Sequence, residues 1–293
     1  MASIITNIEH FFRQKSVLSN LIAINILVFL LIKITGIFFM LFNSDINFIL
    51  HYIELPAELQ QLFIRPWTLI SYMFTHTGFF HILFNLLWLY WFGKIFLLFF
   101  GHRQLGGLYI LGGMAGGILY IAAYNIFPYF LNNVSNSYLI GASASVMAIV
   151  FAASFYKKDF EIGLLFLGNI KIFYLAIISL IIDLISIQTT NSGGHIAHIG
   201  GALMGIWFAE SYKRGKDLTG WINVLIDKFA NLFKKRPKQM KVKYKKAETD
   251  QEYNARKHTE NVTIDRILEK IKRSGYDSLT EEEKKKLFDA SKK

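Results

Sequence analysis

Apolar residues in this chain come in long runs, not in short periodic stretches. A helix that crosses a bilayer needs about 20 predominantly apolar residues. Six runs approach that length: 17–42, 82–100, 104–126, 137–156, 166–187 and 193–210. The fifth carries Lys171 and Asp183, and the sixth is short and glycine-rich. In lipid the backbone must satisfy its own hydrogen bonds, so runs this long predict helices and not barrel strands. Beyond 210 the pattern changes. Leu218, Trp221, Ile222, Leu225, Phe229, Leu232 and Phe233 recur at helical spacing, with Asp227, Lys228, Lys234 and Lys235 nearby. This predicts an interfacial amphipathic helix within 213–236, lying on the cytoplasmic membrane surface. A charged linker is expected over 237–258. Ile264, Ile267, Leu268 and Ile271 then fall at i, i+3, i+4 and i+7, Gly275 offers a stop, and Thr280 with Glu283 forms a capping box. A small helical tail is expected over 259–293. The expected fold class is an all-α polytopic membrane protein, with a six-helix core over 17–212 preceded by a cytoplasmic segment, 1–16.

Composition agrees with the pattern, and charge adds direction. Apolar residues make up 53% of the chain, and the charged fraction of 18% is below the roughly 25% of soluble chains. Residues 1–210 carry a net charge of +1 and residues 211–293 the remaining +10. The body is too apolar for disorder and lacks the basic charge that would meet nucleic acid. Anionic lipid is the most economical partner for the basic tail. With no cysteine, disulfides, thiol nucleophiles and Cys-based metal sites are excluded. The first sixteen residues show no short apolar core with a small-residue cleavage site, so no removable signal peptide is expected. Arg13 and Lys15, Lys94 and Arg103, Lys157 and Lys158, and Lys213, Arg214 and Lys216 all fall on one side of the six spans. Loops 127–136 and 188–194 contain no Lys or Arg, and 43–80 holds only Arg65. Both termini are therefore expected in the cytoplasm, with the chain in a bacterial inner membrane.

Polar residues inside spans are costly and mark functional candidates. His81 and Asn85 open the second span, Ser143 and Ser145 the fourth, and His195 and His198 the sixth, while Asp183 lies late in the fifth. Spans two, four and six run in one direction. Ser143, expected about six residues into its helix, and His198, about five into its own, therefore fall at one depth, roughly 8–9 Å below the outer surface. The chemistry suggested is acyl transfer, with a serine hydroxyl activated by a neighbouring histidine. An Asn amide and a His imidazole could donate to an oxyanion. Gly141 lets backbone approach Ser143, and Gly201 and Gly205 give the sixth span a small-residue face. No acidic third member is visible near the pair, so a Ser–His dyad is expected in place of a triad. Asp183 reads as a paired or water-facing structural group, Ser145 as structural, and His195 as a supporting residue. The two sixth-span histidines could bind a metal by spacing, but without a carboxylate nearby neither metal nor cofactor is expected. The glycines of GGLYILGGMAGG sit at GxxxG spacing within a span and read as helix packing.

These residues resemble the rhomboid intramembrane serine proteases. The resemblance rests on RPW at Arg65–Trp67, His76 followed by HILFN at His81–Asn85, GAS at Gly141–Ser143, and AHIGGALMG at Ala197–Gly205. It covers about residues 17–212 and implies a six-helix rhomboid-like bundle that hydrolyses peptide bonds in or near transmembrane helices of other proteins. Ser143 would be the nucleophile and His198 the base. His81, Asn85 and the Ser143 N–H would form the oxyanion hole, with Arg65, Trp67, His76, Gly141, Gly201 and Gly205 in support. The 43–80 segment would be the family's membrane-embedded first loop. Two positions depart from the family pattern: Ala144 stands where Gly is usual, and Met147 where an aromatic ring usually packs on the histidine. Weakened positioning is expected from these, not loss of activity. The alternatives are a catalytically silent rhomboid-like protein that binds membrane clients and, more remotely, a haem- or metal-bearing membrane protein.

Overall fold

The computed structural model describes residues 2–164, 168–189, 191–232 and 248–291. The chain divides into two compact units, residues 1–234 and 235–293.

The first unit begins with α1 (Ala2–Arg13) and α2 (Val17–Leu41). Ser16 starts the second helix by accepting the Ser19 N–H on its hydroxyl at 3.1 Å, as an N-cap serine does. After a connection built from short helical turns come α3 (Phe79–Phe96), α4 (His102–Ile126), α5 (Ser143–Tyr156), α6 (Ile172–Ile185) and α7 (Ser192–Lys213). Of the described helices, α2, α3 and α4 are long and apolar enough to cross a membrane. The α5 and α6 helices are apolar but have 14 residues each.

Two helices, α5 and α6, start later than their apolar runs suggest. Residues 137–142 are not helical. Tyr138–Leu139 (β2) pairs antiparallel with Leu55–Pro56 (β1) from the long connection, and Gly141 then turns the chain at a φ of +111°. Ser143 is thus the first residue of α5, not six residues into a helix. Residues 168–171 belong to a hairpin, Glu161–Leu164 (β3) against Gly168–Lys171 (β4). Lys171 ties its base to Asp159 at 2.7 Å.

The centre is a contact of backbones among α4, α5 and α7. A side chain on Gly200 would meet the Ala115 carbonyl at 2.7 Å, and one on Gly116 would meet the Ala197 carbonyl at 2.6 Å. One on Gly201 would overlap the Ala144 carbonyl, and one on Gly205 the Ala148 carbonyl. Small residues let helices approach this closely where lipid supplies no hydrophobic drive between them. The expected small-residue face on α7 is therefore present. The glycines of α4 likewise pack against helices.

The helix expected within 213–236 is α8 (Gly220–Leu232); residues 233–236 lie outside the described residues. It docks on the start of α4, with Ile222 and Asn223 buried and Arg103 paired to Asp227 at 2.6 Å. Trp221, Val224 and Leu225 remain exposed.

The second unit contains α9 (Asp250–Ser274) and α10 (Glu281–Ser291). Here the linker expected to run to 258 is helical from Asp250. Thr249 and Glu252 form a reciprocal capping box there, a start signal that carries no apolar periodicity. Gly275 ends α9, as expected, at a φ of +83°. Thr280 and Glu283 cap α10. Ile267 and Leu279 are buried, and Lys270 bonds Glu283 at 2.8 Å.

Candidate active site

The turn that leads into α5 is held from two sides. The Gly141 N–H donates to the Tyr72 carbonyl at 2.9 Å, and the Ala142 N–H donates to His76 Nε2 at 3.3 Å. Ser143 follows, half-buried. As the first helical residue its N–H has no intrahelical carbonyl to meet, since Leu139 four residues back is in β2; the Val146 N–H closes the first helical bond, onto Ala142 at 3.0 Å. A free N–H and the positive end of the helix dipole therefore lie at the Ser143 position.

His76 is fully buried. Because its Nε2 accepts the Ala142 N–H, the neutral ring carries its proton on Nδ1. Burial, and then the charge of His81, push its pKa from 6.5 down to about 4. The folded value lies below the unfolded one, so neutral His76 contributes stability above about pH 6.5, which is lost as pH falls toward 4. His76→Gln keeps an acceptor for the Ala142 N–H and is expected to flatten the acid-side loss of stability in that window. Parallel thermal-melt profiles of the two proteins across the same pH range would rule out this assignment.

His81, near the start of α3, stands edge-on to His76 with ring centroids 5.0 Å apart. A side chain at Gly141 would meet the His81 ring at 2.7 Å, so glycine is required there both for its φ and for this contact. Asn85 lies one turn deeper and is buried. Its amide donates one hydrogen to the His81 carbonyl at 2.8 Å and keeps a second.

On the other side of Ser143 lies α7. Because the Ala144 carbonyl sits on Gly201, the turn of α7 that carries His198 is set level with the start of α5. Ala144 is accommodated because the residues it faces, Gly116 and Gly201, have no side chains. Met147 is buried.

One expectation is overturned. A carboxylate does lie beside the histidines of α7. Asp183 Oδ1 is 2.7 Å from His198 Nδ1 and 2.8 Å from His195 Nδ1, and Asp183 is 6% exposed. The three donor atoms lie within 4.8 Å of one another, close enough to hold a metal ion. The two short N···O distances are those of charge-assisted hydrogen bonds, which place a proton on each Nδ1.

Arg65 and Trp67 lie apart from this group. Arg65 donates to the His51 carbonyl and to Gln61, and Trp67 Nε1 donates to the Tyr52 carbonyl at 2.8 Å. Both fold the 43–78 connection onto itself. Sequence reasoning missed the brace behind the site. Tyr72 donates to the Gly113 carbonyl at 2.6 Å, Tyr109 to the Met73 carbonyl at 3.0 Å, and Asn25 to the Tyr109 hydroxyl at 3.1 Å. Asn25 and Tyr109 are polar residues inside apolar runs, the same signal that singled out His81 and Asn85.

A family model described as the rhomboid domain matches residues 65–214. The chain belongs to the rhomboid family. This rhomboid is an integral membrane protein, as its family and its long apolar helices require. A second model, described as a family of unknown function, matches residues 247–293. Among curated relatives, Rhomboid protease GlpG of Haemophilus influenzae is 30% identical over 179 residues, 60% of this chain and 84% of that protein. RHOMBOID-like protein 12, mitochondrial, of Arabidopsis thaliana is 27% identical over 161 residues, 52% of this rhomboid and 48% of the relative. Rhomboid-related protein 1 of Caenorhabditis elegans is 30% identical over 149 residues, 49% and 39% of the two chains. This rhomboid thus spans less than half the length of the last two.

Proposed function

We propose that this rhomboid is an intramembrane serine endopeptidase that hydrolyses peptide bonds in or near transmembrane helices of membrane proteins. Ser143 Oγ attacks the scissile carbonyl carbon while its proton passes to His198 Nε2. The C–N bond then breaks as His198 returns that proton to the leaving amine, and water, activated by His198, releases the acyl group from Ser143. His81, the free amide hydrogen of Asn85 and the Ser143 N–H stabilise the oxyanion. The observation that carries this reading is the seating of the Ala144 carbonyl on Gly201. It sets a serine with an unpaired N–H level with the histidine-bearing turn of α7. Both termini are read as cytoplasmic, and the exposed Trp221, Val224 and Leu225 of α8 as facing lipid at the interface.

Labelling by a serine-directed fluorophosphonate tests the proposal. Wild-type protein should be labelled and Ser143→Ala should not. Absent labelling, or labelling that survives the substitution, would reject it. Removing either oxyanion donor, by His81→Ala or Asn85→Ala, is expected to slow turnover by roughly 10²-fold or more with little change in KM. A variant that mainly raises KM would make that residue a substrate-positioning group instead.

A further inference from the structure

Asp183 is an anomaly in its helix. The other buried residues of α6 are Ile172 and Ala176, and Ile178, Ile181, Ile182, Leu184 and Ile185 are exposed. A carboxylate buried in such an apolar helix is expensive unless it is bonded. Its bonds go to His198, the base of the proposed reaction, and to His195 one turn away.

The geometry points to Asp183 as the positioning residue of the base, an inference that rests on the proposed protease reading. His198 has two nitrogens, and only the one without a proton can accept from Ser143. With Nδ1–H donating to Asp183 Oδ1 at 2.7 Å, the lone pair of neutral His198 is on Nε2. Without the carboxylate the ring is free to adopt the other tautomer and to rotate about its side-chain bonds. Once the ring has taken the serine proton, the adjacent carboxylate also stabilises the imidazolium. His195 gives the arrangement its rigidity. Its Nδ1–H reaches the same oxygen at 2.8 Å, so Asp183 Oδ1 is held by two donors from successive turns of α7. The rings stand 5.8 Å apart at 82° and converge on the oxygen from different directions. The site is therefore a Ser–His–Asp set whose acid comes from α6, with a second histidine fixing that acid.

The test uses the full chain purified in detergent and a fluorogenic transmembrane-peptide substrate. Asp183→Asn is expected to lower kcat by about 10²-fold or more with KM nearly unchanged, and to slow fluorophosphonate labelling in parallel. Asp183→Glu should recover part of the loss. A purely structural tie between α6 and α7 would instead lower thermal stability while folded protein kept its kcat. A Ser143-dependent wild-type reaction that Asp183→Asn leaves within threefold would overturn the Asp183 role and leave the protease reading standing. A wild-type chain that neither labels nor cleaves would remove both. If Asp183→Asn does not fold, nitrogen NMR of histidine-labelled Ser143→Ala protein decides the matter. A His198 protonated on Nδ1, with the far-downfield proton resonance of a charge-assisted hydrogen bond, supports the role. An Nε2-protonated ring overturns it.

Discussion

Ser143→Ala and His198→Ala should each reduce cleavage of a helical membrane substrate by about 10⁴-fold or more, and the double variant should be little worse than either alone. In the proposed mechanism the two groups act on one proton, so removing either ends the same step. Their effects on stability should differ. Ser143 is half-buried, and its hydroxyl can be removed at little cost. His198→Ala strips one of two hydrogen bonds from a buried carboxylate, which costs about 1–3 kcal/mol. Turnover in micelles, measured beside thermal unfolding of the same samples, separates chemistry from folding. Wild-type-like turnover in either variant would remove that residue from the mechanism.

Gly201→Ala should be the most damaging of the glycine-to-alanine changes. The added carbon would overlap the Ala144 carbonyl oxygen, and a backbone atom in the first turn of α5 cannot swing aside as a side-chain end can. Overpacking of a filled core costs typically 1–3 kcal/mol and occasionally more. A backbone clash belongs at or above the upper end, about 3 kcal/mol. Activity should fall along with stability, because the helices can relieve the clash only by moving Ser143 away from the turn that carries His198. Gly220→Ala is the control, since a side chain there meets nothing within 4 Å. Equal melting temperatures for the two variants would mean that α5 and α7 are not held by this contact.

Helices α2 to α7 were readable because a long apolar run has few other fates, whereas α1 lies in 1–16, where no such run exists. Where such a run contains an extended stretch, hydrophobicity alone cannot show the change, because short apolar segments suit strand and helix equally. Tyr138 and Leu139 illustrate this. Their partner is the Leu55–Pro56 strand, far away in the chain, and no local pattern announces the pairing. Asp183 was visible as a polar residue out of place, but its partners were not. They lie 12 and 15 residues on, across a turn whose geometry decides whether α6 faces them. The start of α9 was missed for the opposite reason. Thr249 and Glu252 spell a capping box in the sequence, but the residues after them have no apolar stripe to draw attention. Ser143, His198, His81 and Asn85 were legible as candidates from position and residue type, and what remained hidden was how they are braced.

The joint where Gly112, Gly116, Gly200, Gly201 and Gly205 bring helices to backbone distance also limits how this protein can diversify. A contact made of main chain offers no side chain to exchange for another, so almost every substitution there is a loss. Variation must arise at its margins, on the exposed faces of α6 and in the 43–78 connection, where a changed residue does not disturb the joint. Lineages of this rhomboid should therefore drift at those margins while the centre of the bundle stays the same.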